Sequence, residues 1–431
     1  MPRKIKILHL IKSLGRGGAE KLIPETALVH NKDRFEFHCL YFYHQKNNIV
    51  NELESVGIKV HLIPSSNLGL FFQVKKVGDF SRALGIDIIH AHLPWAGILS
   101  RFVGNKLKIP IVYTEHNTWD RYNKVSYWGN RMTFKQQDVA IAVSNEVALS
   151  MQLNSMIDPY KRGGRLKVKM IQNGVNTEVF RRMENGDPDS YREGEGIREQ
   201  GIELSESVDQ GISELVNREE VAHSSSGEIS APDSYRGSRN DSFKTFLGIP
   251  ESAPVIGKVA VFRSQKRLWI WVDLALKILE SCPETHFLLV GDGEWRDRIL
   301  AQIEASGKSS NFHWVGVQKN VLPYLSVMDI YLSTSEFEGL PIAMLEAMSC
   351  EIPVVATRAG GIGEVVQHGV QGFLSEIEEY EELVDYCIQL IQNPEIHQKM
   401  SSAARARVVQ QFSMKRMVQE LEEVYESVLL V

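Results

Sequence analysis

Residues 330–357 of the chain, IYLSTSEFEGLPIAMLEAMSCEIPVVAT, decide its fold. A short apolar run, Ile330–Ser333, is followed by a polar loop, a helical pattern and a second apolar run, Pro353–Ala356. Strand, helix and strand in this order form the unit from which parallel sheets are built. The loop between the first strand and the helix then opens at the carboxyl edge of the sheet, where such sheets bind ligands.

Similar apolar runs, rich in Ile and Val, recur along most of the chain. Most of them are apolar throughout rather than alternating, which is typical of parallel strands buried on both faces. The predicted strands are Ile5–Ile11, Phe35–Phe42, Val60–Ile63, Ile86–Ala91, Ile109–Thr114, Val139–Val143 and Val168–Ile171, and then Val255–Val261, Phe287–Val290, Phe312–Val315, Ile330–Ser333 and Pro353–Ala356. Helical patterns lie between them, for example at Ala19–Val29, Val74–Leu84, Trp269–Ser281 and Pro341–Met348. The sequence therefore predicts an α/β protein with two doubly wound parallel-sheet domains.

The segment between the two regions differs in composition. Residues 183–242 carry fifteen acidic and five basic side chains, are rich in Ser and Gly, and contain two Tyr as their only aromatic residues. Such a segment buries too little apolar surface to offset the entropy lost on ordering, so we predict a disordered acidic insertion. The chain of 431 residues then divides into a first Rossmann-like domain (1–182), this insertion, a second Rossmann-like domain (243–410) and a C-terminal helix (411–431) that can return to the first domain.

Composition indicates a cytoplasmic protein. No apolar run approaches the ~20 residues of a membrane-spanning helix, and Lys6 and Lys12 interrupt the apolar start in a way that argues against a secretory signal. The four cysteines, which are too far apart in sequence for a metal or redox pair, are predicted to be reduced core thiols: Cys39, Cys282, Cys350 and Cys387.

The net charge of −6 is unevenly distributed. The insertion contributes −10, so the rest of the chain carries +4. A mild basic excess suits an anionic small ligand or an anionic membrane surface. The chain lacks the basic stripe with interleaved aromatic residues that is typical of nucleic-acid binding, so we expect no nucleic-acid partner.

The loop and helix of the opening stretch carry a pair of carboxylates, Glu338 and Glu346. Gly339 can bring the backbone close to a ligand and adopt a positive φ, and Pro341 suits the first turn of a helix whose free N–H groups face the ligand. Either glutamate alone would equally fit a helix cap or a solvated side chain. Together with the loop, the pair can accept hydrogen bonds from the vicinal hydroxyls of a ribose or a sugar ring.

Glu338, followed by seven residues and then Glu346, resembles the hallmark of the retaining glycosyltransferases of family 4. The resemblance covers nearly the whole chain outside the insertion. It implies the GT-B architecture, in which an acceptor-side first domain and a donor-binding second domain face each other across a cleft. It also implies that Glu338 faces the donor sugar, that Glu346 binds the nucleotide ribose, and that the backbone of Gly339, Leu340 and Pro341 lies near the sugar and diphosphate.

Three further motifs gain a role from this resemblance. Gly17 and Gly18 open the first helix, a layout that fits either an anion cradle or a plain tight turn; the resemblance implies a loop that reaches towards the donor phosphates. His116 follows a strand, where a lone histidine is more often structural; the resemblance implies contact with the donor sugar. The backbone around Val315 is similar to the loop that receives the nucleotide base.

The loop after the strand at 255–261 contains Arg263, Lys266 and Arg267. Cations there can neutralise a departing diphosphate. The family has an arginine five residues before a lysine in this loop. Lys266 matches the lysine, but Val261 stands where the arginine is expected. Arg263 is the nearest replacement, although a shift of two residues along a strand changes the reach by about 6–7 Å.

The expected function is the transfer of a sugar from a nucleoside-diphosphate sugar to an acceptor hydroxyl in surface polysaccharide or glycolipid synthesis. The nucleotide sugar is the co-substrate, and neither a metal nor a bound cofactor is expected. Val261 and the acidic insertion leave open a weakly active or inactive nucleotide-sugar-binding paralogue. A nucleotide-sugar epimerase of the same architecture is a further alternative. The acceptor would be a sugar, a glycolipid or a polysaccharide. Arg121, Lys124 and Arg131 fit either basic contacts for peripheral binding at the inner membrane face or solvated surface charges, which are the commoner case.

Overall fold

The computed structural model describes residues 3–15, 17–45, 48–66, 69–155, 166–182 and 240–430. Most of the acidic insertion lies outside these ranges, so its disorder stays a prediction. Residues 240–242, which the sequence placed in the insertion, instead begin the helix Asn240–Phe246.

The first domain is built on a seven-stranded parallel sheet with the order β3-β2-β1-β4-β5-β6-β7. Its strands are β1 (Ile5–Leu10), β2 (Phe35–Tyr41), β3 (Lys59–Leu62), β4 (Ile88–His92), β5 (Ile111–Glu115), β6 (Val139–Ala142) and β7 (Lys167–Met170). Its α-helices are α1 (Gly18–Val29), α2 (Val50–Ser55), α3 (Val74–Leu84), α4 (Leu93–Leu107), α5 (Lys124–Thr133) and α6 (Asn145–Ser155).

The second domain has a six-stranded parallel sheet with the order β10-β9-β8-β11-β12-β13. Its strands are β8 (Val255–Val259), β9 (His286–Val290), β10 (Phe312–Trp314), β11 (Ile330–Ser333), β12 (Val354–Thr357) and β13 (Gly372–Ser375). Its helices are α7 (Asn240–Phe246), α8 (Leu268–Ser281), α9 (Arg296–Ala305), α10 (Leu322–Ser326), α11 (Ile342–Ser349), α12 (Ile362–Val365), α13 (Glu382–Gln392) and α14 (Pro394–Gln411). The two sheets confirm the predicted pair of doubly wound domains.

Strand β1 shows why the strands carry apolar residues on both faces. Ile7 packs in a cluster with α1 and the C-terminal helix, whereas Leu8 and Leu10 pack on the opposite face with residues of α4. Both faces of the sheet are therefore covered. Each aliphatic side chain that is fully buried in this way stabilises the fold by about 1.5–3 kcal/mol.

In the described part of the chain, two crossings between the domains lie side by side. The N–H of Val175 donates to the carbonyl of Phe412 at 2.9 Å, and the N–H of Met414 donates to the carbonyl of Val175 at 2.8 Å. Gly174 is required here because a β-carbon would lie 2.7 Å from the carbonyl oxygen of Ser413. The paired backbone joins the end of the first domain to the start of the last helix.

That last helix, α15 (Met414–Leu429), packs against the first domain. The Ser413 side chain caps its N-terminus by accepting a hydrogen bond from the N–H of Arg416. Its apolar face, which includes Met417 and Leu421, joins the core cluster around Ile7. The first domain therefore takes its last helix from the far end of the chain.

All four cysteines are buried and free of disulfides, as predicted. Among the described residues, no helix combines the length and the apolar character that crossing a membrane requires.

Candidate active site

The loop between β11 and α11 holds Glu338 between two lysines. The Lys266 ammonium donates to both carboxylate oxygens at 2.7 Å, and the Ser335 hydroxyl donates to Oε1 at 2.7 Å. Burial disfavours the charged form of Glu338, but Lys266, Lys258 and these hydrogen bonds outweigh it and hold its pKa below the ordinary value. Glu338 is therefore a buried carboxylate anion.

Lys266 is positioned by a tight turn after β8. Residues Ser264–Lys266 form one turn of 3₁₀ helix, and Arg267 follows in the left-handed region with φ 45°. The Arg267 guanidinium donates to the carbonyl of Thr334 at 2.8 Å, and the Thr334 hydroxyl donates to the carbonyl of Lys266 at 3.1 Å. These reciprocal bonds fasten the lysine turn to the loop that carries Glu338.

Glu346 lies inside α11 and is 1% exposed. Among the described residues, neither of its carboxylate oxygens has a hydrogen-bond partner. Its nearest cation is Lys21 of α1, with Nζ 3.9 Å from Oε1. A buried carboxylate without hydrogen bonds is costly, so these oxygens are suited to accept donors from a ligand.

The first domain adds a second carboxyl group close to Glu346. Burial, together with the charge of Glu346, raises the pKa of Glu25 to about 8, and Lys21 lowers it. Glu25 is therefore largely neutral at neutral pH, which limits the negative charge that surrounds Glu346.

Gly339 and Pro341 act differently from the sequence prediction. Gly339 is not among the residues with positive φ; instead, a β-carbon at this position would collide with the carbonyl oxygen of His116. Its role is the close approach of the two domains. Pro341 occupies the N-cap position and lies outside the first turn, which begins at Ile342. The positive φ near the loop belongs to Gly360, at 56°.

His116 lies at the first-domain side of the same contact. Its Nε2 is buried and has no partner among the described residues. Burial lowers the pKa of His116 to about 4, so the ring is neutral at physiological pH. The neighbouring Glu115 carboxylate accepts hydrogen bonds from Tyr113, Tyr122 and the N–H of His116. These bonds fix the backbone that carries the histidine.

The other predicted residues are arranged as follows around the cleft. Gly17 caps α1, and Gly18 faces Ile342 at the start of α11, where an added β-carbon would lie 3.4 Å from the Ile342 side chain. The Leu340 carbonyl accepts a hydrogen bond from Asn173 at 3.0 Å. Val315 directly follows β10 and is buried.

Arg263 is exposed at the start of the lysine turn. Its charge lowers the pKa of Glu20 in α1, although burial of Glu20 has the larger, opposite effect. Arg263 thus faces the first domain across the cleft, while Val261 is only partly buried.

Sequence reasoning missed several contacts that assemble the site. Lys21 and Glu25 lie on α1, and Lys258 lies within β8. In the sequence alone, nothing distinguishes them from other residues of a helix or a strand. The Arg121 guanidinium stacks over the ring of Phe337 at 4.3 Å. Glu364 accepts hydrogen bonds from Asn145 at 2.7 and 3.0 Å, which joins α12 to α6. Lys258 reaches Glu338 through the packing of the second sheet, whereas the other contacts form only where the two domains meet.

A cluster of buried histidines lies behind His116. The nitrogens of His9, His90 and His92 come within 4.8 Å of one another, the one such group among the described residues. His9 and His92 share a hydrogen bond of 3.0 Å, while His90 bonds to Tyr425 and Thr114 at 2.7 Å each. Both nitrogens of His90 are therefore occupied, and the cluster links β1, β4 and β5 to α15 by hydrogen bonds.

The two domains match two different protein-family models. Residues 16–179 match the model described as Glycosyltransferase Family 4, and residues 240–407 match the model described as Glycosyl transferases group 1.

Curated relatives align with part or nearly all of the chain. The N-acetyl-alpha-D-glucosaminyl L-malate synthase of Bacillus anthracis is 36% identical over 186 residues, which is 43% of this chain and 49% of the relative's length. The Escherichia coli UDP-Gal:alpha-D-GlcNAc-diphosphoundecaprenol alpha-1,3-galactosyltransferase is 21% identical over 98% of this chain and 97% of its own. The alpha-monoglucosyldiacylglycerol synthase of Acholeplasma laidlawii is 23% identical over 83% and 81%.

Among solved structures, Anabaena Alr3699/HepE in complex with UDP and glucose superposes with a TM-score of 0.75. It is 20% identical, and the match covers 98% of this chain and all of that one. The likeness supports the same two-domain architecture across the full length described above.

Proposed function

We propose that this chain, a glycosyltransferase of the GT-B fold, moves a sugar from a nucleoside-diphosphate donor to an acceptor hydroxyl with retention of the anomeric configuration. The donor would bind between the domains, against the loop Ser335–Pro341 and helix α11. The acceptor hydroxyl would attack the anomeric carbon from the face that the diphosphate leaves and would pass its proton to the departing phosphate.

The proposal rests mainly on the buried carboxylate of Glu346. A carboxylate that is 1% exposed and has no hydrogen-bond partner among the described residues needs donors from elsewhere. The two hydroxyls of a ribose supply two donors to one carboxylate. The family resemblance assigns the ribose to this same residue, so physical need and resemblance agree.

The remaining residues of the site would each contact a different part of the donor. Glu338 accepts hydrogen bonds from the sugar hydroxyls, and neutral His116 contacts the sugar from the first domain. Lys266, Arg263 and the N–H groups around Gly339 and at the start of α11 neutralise the diphosphate as the glycosidic bond breaks. Gly17 and Gly18 face the same region from the first domain.

A binding screen tests the proposal directly. Purified protein is titrated with a panel of nucleotide sugars, and the tightest donor is then incubated with candidate acceptors. We expect one nucleotide class to bind in the micromolar range typical of enzyme substrates. The proton coupling constant of the product, measured by NMR, reports retention or inversion. Binding of no nucleotide sugar would contradict the proposal.

Val261 motivates a second candidate, a nucleotide-sugar-binding protein of low turnover. If the missing arginine limits catalysis, Val261→Arg should raise kcat by up to about 10²-fold, the contribution typical of one transition-state contact. Val261→Met serves as the control for side-chain size. An unchanged kcat in Val261→Arg would show that Arg263 or another cation already fills the role. A free or altered sugar formed without acceptor would instead indicate an epimerase.

Helix α5 supports a peripheral membrane contact beside the cleft. Val125, Trp128 and Met132 lie on one helical face and are 57%, 54% and 76% exposed. Lys124 flanks this face, and the Arg131 guanidinium stacks on the Trp128 ring at 5.4 Å. Apolar and aromatic side chains next to basic ones are typical of helices that lie in an anionic lipid surface. One relative is named for a sugar linked to diphosphoundecaprenol and another for the synthesis of a glucosyldiacylglycerol, and we propose a lipid or lipid-linked acceptor here.

Vesicle binding tests this face. We expect the protein to sediment with vesicles that contain anionic lipid, and Trp128→Ser combined with Met132→Ser to reduce the bound fraction at least about 10-fold, because burying these side chains is worth roughly 1.5–3 kcal/mol each. Val370→Ser, an exposed apolar position of the second domain, is the control. Equal sedimentation of all three proteins would exclude α5 as the contact.

A further inference from the structure

A lysine lies inside the second sheet directly beneath the donor loop. Lys258 belongs to β8 and is 2% exposed. Its ammonium donates to the Ser333 hydroxyl at 2.6 Å and lies 5.0 Å from the centre of the Tyr331 ring. Lysine is almost never fully buried without a partner, and an apolar residue would fill a strand position of this kind at lower cost. Lys258 therefore calls for a functional reason.

A chain of hydroxyls connects this lysine to Glu338. The Ser333 and Ser335 hydroxyls are 3.2 Å apart, and Ser335 donates to Glu338 Oε1 at 2.7 Å. On the cleft side, Lys266 donates to both oxygens of the same carboxylate. Glu338 thus has one cation towards the cleft and a second beneath it, linked to it through two serines.

The proposed function, on which this inference rests, places two demands on Lys266. It pairs with both oxygens of Glu338, and it is needed by the diphosphate when the donor binds. A lysine that turned to the phosphates would leave a buried carboxylate without its nearest cation, which is strongly unfavourable. A second, fixed cation removes this conflict.

We propose that Lys258 is a positioning residue of the donor site, the cation that keeps Glu338 charged and in place while Lys266 moves to the donor diphosphate. Lys258 does not touch the donor. It acts through Ser333 and Ser335 on the carboxylate that does.

Donor binding should then be coupled to a proton. Burial lowers the pKa of Lys258 to about 7; Glu338 raises it, and the neighbouring charge of Lys266 lowers it further. From β11, Tyr331 faces the lysine as a neutral phenol because burial raises its pKa well above the ordinary value. The facing part of β9, Leu288–Val290, is apolar. When Lys266 moves away and an anionic diphosphate enters, the pKa of Lys258 must rise.

The sign of the pH dependence follows from this shift. A ligand that raises the pKa of a group binds the protonated form more tightly. The affinity for the nucleotide should therefore be at its maximum below about pH 7, where Lys258 is already charged before the nucleotide binds. It falls as the pH rises above about 7, by up to tenfold per unit, and each binding event in this range takes up part of a proton from solution.

Calorimetric titration with UDP as the probe tests the coupling. The heat of binding is measured at several pH values between 6.5 and 8.5, in two buffers of different ionisation enthalpy, which yields the number of protons taken up. We expect uptake in the wild type above pH 7. Lys258→Met should lose this uptake and should bind UDP at least about 10-fold more weakly at pH 6.5. The second pKa of a phosphate monoester is about 6, so at pH 7.5 and above the terminal phosphate of UDP is already ionised before it binds, and the difference between the two proteins in this range isolates Lys258.

Lys277→Met is the matched control, because Lys277 is an exposed lysine of the same domain that pairs with Glu381. It should bind and take up protons like the wild type. Failure of the wild type to bind any nucleoside diphosphate would remove the proposed function and this inference with it. Binding of UDP without proton uptake in the wild type, or with equal uptake in Lys258→Met, would overturn the role of Lys258 alone. If Lys258→Met does not fold, Lys258→Arg, which stays charged throughout this pH range, should bind UDP without the uptake, and uptake equal to that of the wild type would overturn the role of Lys258.

Discussion

The Lys266→Met variant should lose about 10²- to 10³-fold in kcat, the loss typical when one preorganised charge contact to a transition state is removed. Lys266 is the cation that lies closest to the donor loop, with its ammonium 2.7 Å from both oxygens of Glu338. Methionine keeps the length and apolar stem of the side chain but removes the charge. Steady-state transfer with the best donor of the binding screen measures the effect.

Arg263→Met is the companion variant for this test. Arg263 lies in the same turn but faces Glu20 of the first domain. If Lys266 neutralises the leaving diphosphate, Lys266→Met should lower kcat far more than Arg263→Met does. The reverse order would assign the phosphates to Arg263 and would leave Lys266 with Glu338 only.

Glu346→Gln should weaken nucleotide binding by about 10²-fold or more. Hydrogen bonds to a charged group contribute about 1.5–3 kcal/mol each, and a ribose would make two of them. The same variant should be more stable than the wild type without ligand, because a buried charge without hydrogen bonds is replaced by a neutral amide. Calorimetric titration with UDP and thermal unfolding measure the two effects.

The opposite signs of these two effects distinguish a ligand site from a structural role. A glutamate that only supported the helix would lose stability on substitution and leave binding nearly unchanged. Glu376→Gln is the control, since this carboxylate is 62% exposed and pairs with Arg358. It should change neither property appreciably. Unchanged UDP affinity in Glu346→Gln would contradict the assignment of the ribose.

The architecture could be predicted from local patterns because most strands are short runs rich in apolar residues. Strand β11 begins and ends where the sequence placed it, and the helix over 74–84 matches as well. Strand β13 was missed because it begins with Gly372 and contains no β-branched residue. Glycine is a poor strand former, but here a β-carbon would collide with the backbone of Val354 on the neighbouring strand.

The site was predictable only where it lies within one segment. Glu338 lies in the loop and Glu346 lies in the helix that follows it directly. Their separation in sequence therefore fixes their relative positions in the fold. Contacts between residues that are far apart in the sequence produce no local sequence pattern from which they could be predicted. Nothing near Gly339 indicates that it must approach the carbonyl of His116, and nothing near Lys258 indicates a carboxylate eighty residues later in the chain. Long-range packing decides these contacts, and the roles of all these residues remain predictions.

The return of α15 to the first domain has a consequence for how the molecule is made. A chain that emerges from the ribosome exposes residues 1–182 long before Met414–Leu429 exist. Until then, the apolar surface around Ile7 that α15 covers stays open to solvent, and such surfaces promote aggregation during synthesis. The first domain is therefore completed only after the second domain has been synthesised. A chain shortened by a few tens of residues at its C-terminus would be damaged at the opposite end of its sequence.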